Sequence, residues 1–303
     1  VNQKRVMGLI CRLFIPDPPE RMDWNGFLSW VSPHVDGFLL DPPFWRDRPG
    51  RCGMEPSDLA AVAALIDRLP PEKIVLCRVT GRDRPSTRSL LEALDKLTRD
   101  RPVRTGLFWL DLPLYYHSNR GLPDLYRDYG RLSPVPFMLE NDPERVRAAK
   151  SVGRHVNLRT SVIKTLSLLP GIAGLIHHGN IDRALNYARA VVRRRDFSLM
   201  DGDERQFLEY PSTSGLVSIA ANVFPRQWSV LVKNRLSGST PLNQADILEI
   251  VYQMKHALEV LLENPAANLS HLLQRRGFLE GPEPAHGDRA ERLDALLAAH
   301  LKD

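Results

Sequence analysis

Residues 74–79 read Ile-Val-Leu-Cys-Arg-Val, an apolar run of strand length rich in β-branched side chains. Thr80, Gly81 and Arg82 break the run. Residues 86–98 follow, with Leu90, Leu91, Leu94 and Leu97 at helical spacing. A strand, a turn and an amphipathic helix in this order form one βα unit, the crossover that parallel strands require. Outward from this unit the pattern repeats. Strands are predicted at 6–15, 37–40, 105–110, 135–139, 172–176, 197–200 and 215–221. Helix 56–68 carries Leu59, Val62, Ala63 and Ile66 on one face, and helix 181–195 carries Ala184, Leu185, Ala188, Val191 and Val192. Eight strands spaced by about 20–40 residues predict an α/β fold, a (β/α)8 TIM barrel over residues 1–238. A doubly wound sheet is the alternative, but no GxGxxG or GxxxxGK[ST] follows any strand. Helices at 242–263, 266–276 and 288–299 then predict a C-terminal helical extension, 239–303, packed on the barrel.

Composition narrows the class. The chain has 303 residues, 41 basic and 36 acidic, for a net charge of +5. Its 43% hydrophobic and 25% charged content is that of a globular protein and excludes disorder and coiled coil. Eight of the basic residues are Lys and 33 are Arg, but the arginines are interleaved with Asp and Glu. The run Arg193-Arg194-Arg195 reads as a solvated helix end, so no nucleic-acid partner is expected. No apolar run approaches the ~20 residues of a membrane span and no signal peptide opens the chain. Cys11, Cys52 and Cys77 show no CxxC spacing. They fit a reducing compartment, taken here as the cytoplasm, and supply no metal framework. No cofactor is expected.

In such barrels chemistry sits where the strands end at their carboxyl side. In strand order those positions offer Asp17, Asp41, Thr80 with Arg82, Asp111 with Tyr115-Tyr116, Glu140-Asn141-Asp142, His177-His178, Asp201 with Asp203 and Glu204, and Asn222. The carboxylates with a histidine could hold a divalent metal, but no HxH, HExxH or DxDxDG spacing supports one. Turn formation and ion pairs with Arg46, Arg48 and Arg82 account for them better. Of His177 and His178, only one can face the barrel mouth, because neighbours on a strand face opposite sides.

Several of these segments together resemble the dihydrodipicolinate synthase / N-acetylneuraminate lyase family. Gly215-Leu-Val-Ser-Ile-Ala-Ala-Asn222-Val-Phe-Pro225 is similar to its eighth-strand signature, and Phe197-Ser-Leu-Met-Asp-Gly202-Asp203 to its seventh. Leu114-Tyr115-Tyr116 with Gly121-Leu122 resembles its Pro-Tyr-Tyr segment, and Glu140-Asn141-Asp142-Pro143-Glu144-Arg145 its Tyr-Asn-x-Pro-x-Arg turn. The order and spacing hold over nearly the whole chain. The resemblance implies a TIM barrel of the pyruvate-handling class I aldolases, in which a sixth-strand lysine forms an imine with a 2-oxo acid. It implies a fifth-strand tyrosine as proton relay, a Gly-Thr-Thr-Gly-Glu loop for the carboxylate, and a homodimer or a dimer of dimers.

The sequence departs at each of those chemical positions. Ile176 stands at the lysine position and Glu140 at the tyrosine position, and residues 41–48 contain neither Thr nor Gly. None of Lys4, Lys73, Lys96, Lys150, Lys164, Lys233, Lys255 and Lys302 follows a strand at the rim. What the resemblance retains is Arg145, as a carboxylate-binding fork, and Tyr116, as an interface tyrosine. The expected function is therefore a dihydrodipicolinate synthase-like barrel without classical lyase chemistry. It would bind an acidic small molecule (a 2-oxo acid or dicarboxylate) or serve an assembly or regulatory role. Arg145, Tyr116, Arg82 and Asn222 are the candidate ligand-binding residues. Two alternatives stay open: acid–base chemistry by Glu140 with His177 or His178, and a pyruvate-dependent lyase with relocated residues.

Overall fold

The computed structural model describes residues 5–45, 53–99, 106–149, 155–238, 242–281 and 288–300. Lys4, Arg46, Arg48, Cys52, Lys150, Lys302 and the proposed boundary at 239 lie outside the described residues. Eight parallel strands close into one barrel in sequence order: β1 (Gly8–Arg12), β2 (Gly37–Leu40), β3 (Ile74–Arg78), β4 (Leu107–Asp111), β5 (Phe137–Asn141), β6 (Ile172–His177), β7 (Ser198–Asp201) and β8 (Gly215–Ser218). Closure runs through β1 against β8, where Gly8 to Cys11 pair with Gly215 to Ser218. Every strand residue is buried, which is why the strands read as continuous apolar runs and not as alternating ones.

The parity of each strand splits the core in two. Val6, Ile10, Leu39, Ile74, Leu76, Phe108, Leu110, Met138, Ala173, Ile176, Met200 and Val217 form a separate cluster that fills the barrel. The opposite parity, including Leu9, Cys11, Phe38, Val75, Trp109, Leu139, Leu175 and Leu199, packs outward against the helices.

The buried helical faces differ from the apolar spacing at single positions. Helix Arg84–Arg99 buries Thr87, Leu90, Leu91, Leu94 and Asp95, while Leu97 is 37% exposed. Buried Asp95 takes a hydrogen bond from Ser133 Oγ at 2.6 Å, so a polar residue occupies the inner face there. Helix Ile181–Val191 buries Tyr187 and Val191, leaving Leu185 47% and Val192 73% exposed. Val192 is the C-cap, past the last helical residue, so helical spacing no longer describes it. At the end of the chain, helices Gln244–Leu261, Pro265–Arg275 and Asp288–His300 follow the barrel. The first packs on helices Glu204–Glu209 and Pro225–Ser237, which brings its C-terminal end to the carboxyl face of the strands. No helix among the described residues is long and apolar enough to cross a membrane.

Candidate functional site

Five inward-facing apolar residues, Ile10, Leu39, Leu76, Met138 and Ile176, are each followed two positions later by a polar one. These are Arg12, Asp41, Arg78, Glu140 and His178. With period two they share the inward parity, so they form a charged layer directly above the apolar fill.

The layer is tightly paired. Arg78 grips Asp41 with two bonds, Nε to Oδ1 at 3.1 Å and Nη2 to Oδ2 at 2.8 Å, and Nη2 also donates to Glu140 Oε2 at 2.6 Å. Arg12 Nη2 donates to Glu140 Oε1 at 2.7 Å. Arg145 enters from helix Pro143–Ala148, its Nη1 lying 3.0 Å from Asp41 Oδ2 and 3.6 Å from Glu140 Oε2. Burial alone would raise both carboxyls. The guanidiniums of Arg145, Arg78 and Arg12 instead hold Asp41 below its ordinary value. Arg78, Arg12, His178 and Arg145 together hold Glu140 well below its own. Both are therefore carboxylates. A carboxylate only accepts, so His178, whose Nε2 is 3.2 Å from Glu140 Oε1, carries its proton on Nε2. Three guanidiniums against two carboxylates leave one positive charge in excess.

A cavity of about 530 Å³ opens above this layer. Arg12, Arg145 and His178 border it from below, Phe44, Pro143, Ile219 and Leu262 from the sides, and Arg147 and Arg205 at the rim. Four acids also line it, but two are spent on helix ends. Asp142 accepts from the backbone N–H of Glu144 and Arg145, and Asp203 from those of Arg205 and Gln206. Glu204 is pushed up to about 7 by burial, against hydrogen bonds from Ser218 and the Ala220 N–H. Among the described residues Arg12 Nε has no hydrogen-bond partner, although Arg12 is only 2% exposed. Its guanidinium lies over the Phe44 ring, 4.4 Å from the centroid.

The residues singled out from sequence separate clearly. Glu140, His178 and Arg145 converge on the mouth. His177 faces the helix layer, edge-on to Tyr187 at 5.2 Å, and burial lowers it to about 4. Arg82 is 86% exposed and pairs with its neighbour Asp83, outside the layer. Tyr116 turns inward and its hydroxyl donates to Asp111 Oδ2 at 2.7 Å, beside Thr80 and Tyr126 on the same carboxylate. Asn222 is a clamp: it donates to Arg12 O and Ile219 O and accepts from Phe14 N–H. All its polar atoms are thereby used on joining β1 to the segment after β8. Ile176 is fully buried among the apolar fill and does not line the cavity. Among the described lysines, Lys73 donates to Val35 O at 2.7 Å near the start of β3, and Lys96, Lys164, Lys233 and Lys255 are exposed on helices.

Sequence reasoning passed over Arg12 and Arg78. A signal was present: β1 and β3 both end in Cys-Arg, with the arginine on the inward parity of an otherwise apolar strand. Glu140, Asp142 and His178 have ligand atoms close enough to share a metal ion. The arginines bonded to Glu140, and the helix N-cap made by Asp142, oppose a cation there.

No protein-family profile and no curated protein matches the sequence. The fold does match solved structures. It is similar to a dihydrodipicolinate synthase from Thermotoga maritima (TM-score 0.76, 16% identity, 98% of this chain and 99% of that one). It is also similar to a prophage protein of the dihydrodipicolinic acid synthase family from E. coli K12 in complex with pyruvate (0.74, 16%, 97% and 98%). A third is a monomeric dihydrodipicolinate synthase variant (0.75, 17%, 97% and 96%). The similarity spans 97–98% of this chain and shows the fold, which does not itself fix function.

Proposed function

We propose that this chain is a diverged dihydrodipicolinate synthase-type barrel that binds an acidic small molecule at its mouth and forms no imine with it. The observation that carries this reading is the charged layer. Three arginines face two carboxylates below an open cavity, and planar guanidiniums suit a carboxylate ligand. Arg145 and Arg12 border the cavity and take the anion. Arg78, fully buried, holds Asp41 and Glu140 in place beneath them. An imine needs a primary amine beside the bound carbonyl. Ile176 offers none, and a ligand above the arginines stays apart from residue 176.

Glu140 is paired to arginine on both oxygens, so it serves as counter-ion and not as proton acceptor. Acid–base chemistry, the second reading, moves to Glu204 with His178: both line the cavity, and Glu204 exchanges its proton near neutral pH. Leu262, from the helices that follow the barrel, completes the cavity wall. A homodimer or dimer of dimers belongs to the same reading, and light scattering that shows only monomer at micromolar concentration would remove it. The anion site itself is tested by thermal shift with 2-oxo acids and dicarboxylates, on wild type and Arg145→Ala. Stabilisation by anions, lost in the variant, is expected; equal response of both proteins contradicts the site.

A further inference from the structure

The cavity is built for more than a small acid. Its volume of about 530 Å³ is that of an ordinary ligand site. A water's share of liquid volume is about 30 Å³, so a three-carbon oxo acid, the size of about four or five waters, leaves most of it unfilled. The unfilled part has a definite chemistry. Phe44 from helix Pro42–Trp45, Ile219 after β8 and Leu262 at the C-cap of helix Gln244–Leu261 are half-buried and face the same space. Three distant segments, one from the helical extension, thus contribute apolar surface to the sides of a cavity whose floor is charged. Phe44 joins the two halves. Its ring touches Trp45 edge-on at 4.7 Å and lies under Arg12 at 4.4 Å and Arg145 at 5.4 Å. The floor's excess is a single positive charge, which one negative charge on the ligand neutralises.

We infer that the ligand is an amphipathic monoanion, a carboxylate head on Arg12 and Arg145 with an aryl or alkyl body against Phe44, Ile219 and Leu262. This rests on the anion site proposed above and adds the class of ligand. The Arg12 guanidinium, over the Phe44 ring, places head and body side by side. The apolar side supplies affinity by covering surface that otherwise meets water, and the arginines fix which end goes in first.

Calorimetric titration at neutral pH uses 3-phenylpropanoate, hexanoate, pyruvate, succinate and the neutral 3-phenylpropanamide. The two amphipathic monoanions are expected to bind about tenfold tighter than pyruvate or succinate, the gain from covering some tens of Å² of apolar surface. The amide should bind about tenfold more weakly than its acid. Phe44→Ala and Leu262→Ala should each shrink the preference for the phenyl acid over pyruvate. Arg145→Ala should weaken every anion. Each variant's melting curve reports whether it folds, and the ligand-length comparison on wild type needs no variant. Pyruvate or succinate binding as tightly as the amphipathic acids, with Arg145→Ala still weakening them, overturns the amphipathic class alone. No binding of any anion, or no effect of Arg145→Ala, overturns the anion site and this inference with it.

Discussion

The imidazole ring of His178 occupies the space that a Cβ on Gly202 would take. The sequence's Gly-Asp pair after β7 therefore has a local cause. Residue 202 must lack a side chain so that His178 can lie across it and reach Glu140. Gly202→Ala is expected to push the ring off Glu140 and to cost about 1–3 kcal/mol in denaturant unfolding, the usual cost of overpacking a filled site. It should also weaken anion binding, since His178 borders the cavity. A variant with unchanged stability and binding contradicts this packing.

Arg78 is the keystone of the charged layer, bonded to Asp41 twice and to Glu140 once. Arg78→Met keeps the stem and removes the charge. Two buried carboxylates then share the remaining arginines, and a loss of about 3–5 kcal/mol is expected. Urea unfolding measures it. A loss below about 1 kcal/mol would show that Arg12 and Arg145 suffice alone.

The barrel was legible from its alternation because both faces of each strand are buried, so every strand shows as an apolar run broken by turn residues. Helix 86–98 was legible from its single buried face, up to its last turn, where Leu97 emerges. The site was legible in part. Glu140, Arg145 and His178 follow strands in the order that the fold requires, and the structure brings them together. Arg12 and Arg78 were missed because each lies inside a predicted strand, 6–15 and 74–79, whose apolar run hides a single arginine until the parity of its neighbours is counted. Arg82 lies four residues past Arg78, on the exposed turn, and drew attention from it. The bond from Tyr116 to Asp111 is a property of the folded loop and has no sequence signal.

Glu204 gives a signed pH dependence. Its carboxyl titrates at about 7 in the folded chain against an ordinary value of 4.5. The folded state then holds a proton that the unfolded state releases. The stability from that proton is complete below the ordinary value and disappears as pH rises through about 7. Over that window wild type should lose about 3 kcal/mol relative to Glu204→Gln, at ~1.4 kcal/mol per pH unit. The amide oxygen can still accept from Ser218 and the Ala220 N–H, which isolates the charge. Comparing the two proteins cancels Asp201, which burial raises to about 6. Unfolding curves at pH 4 and pH 8 check this, and a constant difference between the two proteins contradicts it.

Pyruvate with borohydride, followed by intact mass, tests the central claim most directly. The claim is that the mouth holds an anion by guanidinium contacts and not by an imine. Ile176 is buried in the barrel fill, and the described lysines lie on helices or near the start of β3. None of those amines is held beside the cavity, so none gains the proximity that imine formation with a bound oxo acid requires. The account predicts an unmodified chain at pyruvate concentrations that still raise the melting temperature. A stoichiometric reduced-pyruvate adduct mapped to one lysine would falsify it and restore imine chemistry to this barrel.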